Sequence, residues 1–141
     1  MDKDTAIIPS FLVIDPQGYV TFRWTEAEDW DQLSVEMGSW IGTDRLEVVR
    51  YTQPLNALSK KLNLPGKHLV FLTSRNGFSE TEGDNMPATI LYDGGYPLYG
   101  KIIIALETDG DYEIEGFRLQ NLLFYAFFIV NDAVGGLLRT K

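Results

Sequence analysis

The residues with the greatest capacity for chemistry are ten carboxylates in two short tracts. Glu26, Glu28, Asp29, Asp31 and Glu36 form the first, and Glu107, Asp109, Asp111, Glu113 and Glu115, one at every second position, form the second. Paired carboxylates do acid–base work only when their surroundings drive their proton affinities apart, and abundance alone does not create two unequal environments. No Lys or Arg lies within either tract. Oxygen ligands in this number suit a hard cation, but the second tract is not a calcium loop of the EF-hand kind. Counted from Asp109, its sixth position is Ile114 where Gly is needed and its twelfth is Gln120 where Glu is needed. It reads instead as a solvated turn about Gly110.

The remaining reactive side chains are sparse. There is no cysteine and one histidine, which removes disulfides, thiolate nucleophiles and the usual nitrogen and sulfur ligands of zinc together. His68 stands alone before an apolar run and reads as a polar strand-edge residue. Ser39, Ser74 and Ser79 lie in no nucleophile-elbow pattern, and MGSWIGTD, between Gly38 and Gly42, lacks the Lys and hydroxyl of a phosphate loop. No catalytic residue, metal ligand or cofactor is therefore assigned, and an enzyme is not expected. A ligand site would draw on Trp40, Arg75, Asn85 and Tyr99, which pair directional hydrogen bonds with stacking surface.

Charge narrows the partners. The formal net charge is -8, so direct nucleic-acid binding is disfavoured, because phosphate contacts need compensating positive charge. A protein with a basic patch is attracted instead, and Glu26, Glu28, Asp29, Asp31 and Glu36 are the expected contact surface. The most apolar stretch, LLFYAFFIV at 122–130, is too short for the roughly 20 residues of a bilayer-spanning helix. It suits a buried helix or a contact between copies in a homo-oligomer. The opening MDKDTAIIPS has neither the positive start nor the apolar segment of a signal peptide, so a cytoplasmic setting is expected.

The elements that would position these residues follow from periodicity. Residues 6–14 read as a strand, Asp15-Pro16-Gln17-Gly18 as a turn, and 19–24 as a second strand with alternating faces. Thr25 and Glu28 have the spacing of a capping box, after which Trp30, Leu33, Met37 and Trp40 recur at helical intervals with the indoles as core anchors. Glycine ends that helix. Residues 45–51 form a strand, 54–62 a short helix stopped by Leu64-Pro65-Gly66, and 69–72 a strand, with a tight turn at Asn76-Gly77. Asn85 is placed to organise a loop, Ile90 and Leu91 sit in a strand closed by the turn at 93–95, and 98–106 reads as a central strand. Residues 117–134 form an apolar helix stopped by Gly135-Gly136, followed by a short tail. The expectation is one α+β domain over 1–141: a mainly antiparallel sheet with an amphipathic helix and an apolar C-terminal helix.

Several short segments carry a resemblance. Met37-Gly38 leads toward Leu46-Glu47-Val48-Val49, followed by Asn76-Gly77, Asn85-Met86-Pro87-Ala88-Thr89 and Tyr99-Gly100-Lys101-Ile102. In these, over residues 33–104, the chain resembles the DUF3846-like small proteins of phages and mobile elements, with 54–64 as an insertion. The resemblance brings no catalytic residue onto Asn85 or any other position. It implies a non-enzymatic accessory protein of a phage or mobile element that binds another protein; the alternative is a small-ligand or nucleotide-binding module.

Overall fold

The computed structural model describes residues 6–50, 53–74, 83–86, 88–89 and 97–139. They form an antiparallel sheet of seven strands with three helices, an α+β fold. In chain order these are β1 (Ala6–Ile14), β2 (Val20–Trp24), α1 (Trp30–Ile41), β3 (Leu46–Val49), α2 (Gln53–Leu62), β4 (Lys67–Ser74), β5 (Ile102–Thr108), β6 (Ile114–Glu115), β7 (Phe117–Leu119) and α3 (Gln120–Arg139). The main path runs β2-β1-β5-β4-β3, while β6 pairs with β5 and β7 with β1. Arg75, the Asn76-Gly77 turn, Ser79, the strand at Ile90 and Leu91 and the turn at 93–95 lie outside the described residues.

Both faces of the sheet are covered, which explains why β1, β4 and β5 are apolar almost throughout. Successive side chains of a strand point to opposite faces. Leu12, Ile14, Leu69, Phe71, Ile102, Ile104 and Leu106 therefore share one face, where they meet Leu58 and Leu62 of α2 and Leu123, Ala126 and Val130 of α3. Phe11, Val13, Val70, Leu72, Ile103 and Ala105 share the other and meet Leu33, Met37 and Ile41 of α1.

Four boundaries differ from those the sequence suggests. The N-cap of α1 is Asp29, whose side chain accepts from the Gln32 amide at 2.8 Å, while Gln32 accepts from the Glu28 amide at 2.9 Å. Thr25 does not cap the helix. Its hydroxyl accepts from the Ala27 amide at 2.9 Å and donates to the Glu36 carboxylate, joining the end of β2 to the middle of α1. The helix thus starts at Trp30, which is 45% exposed instead of anchoring the core.

At the other end of the chain, residues 117–119 are a strand, and the helix begins only at Gln120. Gly116 makes this possible: a Cβ there would stand 2.8 Å from the Ser10 carbonyl oxygen, so only glycine lets β7 close against β1. Gly135 and Gly136 do not stop α3, which continues to Arg139. The central strand starts at Ile102, because Gly100 turns with φ 71° and donates to the Gly83 carbonyl at 3.0 Å. Gly42 ends α1 in the left-handed conformation, as expected. Among the described residues no helix is long and apolar enough to cross a membrane.

Candidate protein-interaction site and a buried ionic cluster

The two acidic tracts differ in kind. In the first, Glu26, Glu28, Asp29 and Asp31 are exposed, and among the described residues none of them has an ion-pair partner. Glu36 is half-buried and committed to Thr25. Trp30 stands at the head of α1 among these carboxylates and lines a cleft of about 610 Å³. Glu28, Asp29 and Leu33 line it from the helix side, Phe11 and Val48 from the sheet, and Arg50, Tyr112, Glu113 and Arg118 complete it. Aromatic surface set within polar and charged residues is the composition of a recognition patch, since aromatics supply contact area and the rim stays hydrated.

In the second tract, cations absent from its own sequence arrive from β4 and from Arg50, the residue that follows β3. Glu107 has no exposed surface. Arg50 donates to it through Nε at 2.8 and 3.0 Å and through Nη2 at 2.7 Å. His68 Nε2 lies 2.8 Å from Glu107 Oε1 and Nδ1 lies 2.6 Å from Asp109 Oδ1. Burial would raise the pKa of Glu107, but the hydrogen bonds and positive charge of Arg50 and His68 outweigh it and hold the carboxyl below its ordinary value. Arg50 also lies 5.5 Å above the centre of the Tyr112 ring. Glu115 is ion-paired with Lys67, so the tract is a solvated turn only over Asp109 to Glu113.

His68 lies near the start of β4, where it is directly opposite Glu107 of β5 in the ladder, while the ladder with β3 reaches only Phe71. Its two carboxylate neighbours approach different nitrogens of one ring, so the three groups do not converge on a point. Among the described residues no cluster of three or more side chains is arranged to hold a metal ion.

The residues suggested for ligand binding are dispersed in their roles. Trp40 is half-buried and packs its ring 5.6 Å from that of Phe11. Asn85 is fully buried; its Nδ2 donates to the carbonyls of Ile14 at 3.0 Å and Gly100 at 2.8 Å, and its Oδ1 accepts from the Ala88 amide at 3.1 Å. These bonds tie the loop to the end of β1. Tyr99 is half-buried and forms an isolated bridge with Asp84. Trp40, Gly100 and Lys101 line a second, shallower cleft of about 430 Å³.

Sequence reasoning missed Arg50 and Glu107 as a unit. The signal was present in the period of two: His68 is in phase with Val70 and Leu72, and Glu107 with Ile103 and Ala105, so both extend one apolar row of the sheet. Comparison of the chain with protein-family models, with curated proteins and with solved structures finds no match.

Proposed function

We propose that this chain is a non-enzymatic protein-binding domain whose partner presents a basic surface to the head of α1. The observation that carries the reading is Trp30: an indole 45% exposed among four exposed carboxylates that have no ion-pair partner among the described residues, lining a cleft of about 610 Å³. Unneutralised carboxylates steer a basic protein into encounter, and an indole offers both apolar area and a face for an Arg or Lys side chain. The charge sets the rate of association and the aromatic contact its lifetime. The resemblance to DUF3846-like proteins supports the setting of a phage or mobile-element accessory factor, with a host protein as the target.

The buried cluster argues for architecture, not catalysis. Glu107 has two bonded partners and no exposed surface, and Asp109 is spent on His68. The test is capture from host lysate at low and high salt, run in parallel with wild type and with an E28Q/D31N/W30A variant, which leaves the Asp29 cap intact. A saturable basic partner retained by wild type, released by salt and lost by the variant supports the proposal. Equal retention by the variant overturns it.

A further inference from the structure

We infer that a second copy of this chain pairs with β2 along its open edge. The surface is separate from the acidic head of α1, so this inference stands or falls apart from the proposed function.

In the main path of the sheet β2 is terminal, and among the described residues it pairs only with β1. The hydrogen bonds from the Thr25 amide to the Pro9 carbonyl and from the Asp15 amide to the Tyr19 carbonyl fix the phase of the β1–β2 ladder. With pairing alternating along an antiparallel ladder, the backbone groups of Val20, Phe22 and Trp24 point away from β1. Natural edge strands are blunted by Pro, charged side chains or bulges; β2 is VTFRW, with no Pro, an unbroken register against β1 and one charge, Arg23. The side chains of the same residues lie on the face that carries α3, where Phe22 packs 5.9 Å from Phe124 and 4.9 Å from Phe127, and Phe127 stacks on Phe128 at 5.7 Å.

The patch left by this packing is large. Phe22, Trp24, Phe124 and Phe128 are exposed by 37, 66, 42 and 70%, roughly 320–540 Å² at about 150–250 Å² per aromatic side chain. That is about half of the ~800 Å² each partner contributes to a standard interface, before the outward backbone of β2 is counted.

Charge selects the occupant. Two chains of net charge -8 repel wherever acidic faces meet. From Gln120 to Val130 α3 has no charged residue, and the only one on β2 is Arg23, which alternates to the opposite face. Phe22, Trp24, Phe124 and Phe128 therefore bring no like charges of their own to a contact between two copies, the next carboxylates along the chain being Glu26 and Asp132, whereas a basic partner is drawn to the acidic head of α1. A two-fold axis at Phe22 would set it against its counterpart and Val20 against Trp24 of the second copy.

Sedimentation velocity of the full chain over a range of concentrations tests this, with amide exchange of β2 as a second readout. The expected result is a monomer–dimer equilibrium with slowed exchange at Val20, Phe22 and Trp24. Trp24→Lys and Phe128→Lys, each at an exposed site, should weaken dimerisation ~10-fold or more, while the circular dichroism of each monomer is unchanged. A monomer at every concentration, or a dimer that both lysines leave intact, overturns the inference.

Discussion

Arg50 and Glu107, 57 residues apart, meet in a pair that uses both carboxylate oxygens, with the carboxylate fully buried and the guanidinium side chain 37% exposed. The asymmetry of the pair decides what each substitution does. Glu107→Gln removes the charge that answers both Arg50 and His68, and we expect a loss of about 2–3 kcal/mol. That is less than the ~3–5 kcal/mol of a fully buried pair because Arg50 can rehydrate. Urea unfolding measures it, and a change under ~0.5 kcal/mol, the scale of an ordinary surface substitution, would show that the cluster is dispensable.

The same carboxyl gives the protein an acid-sensitive component. Its folded pKa lies below the ordinary 4.5, so the unfolded chain binds the proton first as pH falls. The contribution is complete above that value and is lost as pH drops through the folded pKa. Stability of wild type should therefore fall below pH 4.5 more steeply than that of Glu107→Gln, with the two curves converging in acid. Parallel slopes would mean that other carboxylates carry the transition.

Asn85→Ala should cost about 2–4 kcal/mol, because the Ile14 and Gly100 carbonyls and the Ala88 amide lose their partner at a fully buried site. Asn85→Asp should be nearly as costly, since it retains an acceptor for Ala88 but offers no donor to either carbonyl. A thermal melt separates this from a role in binding: an unchanged midpoint would show that the bonds do not support the loop.

Gly38→Ala sets two effects against each other. Alanine favours a helix interior by ~1 kcal/mol over glycine, but its Cβ would run into the carbonyl oxygen of Thr43, whose amide is held by its bond to the Gly38 carbonyl at 2.8 Å. The clash should win, with a net loss of about 1–3 kcal/mol. A stabilised variant in denaturant unfolding would contradict the close packing of this turn.

The fold class, the presence of an amphipathic helix after β2, though not its start, the short helix before Pro65 and the central placement of the 102–106 run are legible in the sequence because each rests on local periodicity or a local breaker. What could not be read locally was decided by pairing. Phe117 to Leu119 have the composition of the helix that follows, and only their contact with β1, permitted by Gly116, makes them a strand. Thr25 and Glu28 match a capping box, yet Asp29 with Gln32 offers the same chemistry four residues later, and the bond from Thr25 to Glu36 takes Thr25 out of competition. His68 and Glu107 looked unrelated because 39 residues separate them; register alone puts them opposite one another. The exposed carboxylates of the first tract were readable as surface, whereas the position of Trp30 among them depended on where the helix starts.

The place of β5 between β1 and β4 also governs how the chain matures on the ribosome. When residues 6–74 have emerged, the β1–β2 hairpin and the β3–α2–β4 unit can each form, but no strand yet joins them in the sheet. Leu12, Ile14, Phe71 and Leu72, all buried in the finished protein, then line two unsatisfied inner borders. Only the arrival of Ile102 to Thr108 closes both at once, a long-range step that slows completion. Until then the nascent polypeptide is a natural client for chaperones, and translation stalled before Ile102 would yield a sticky, aggregation-prone fragment.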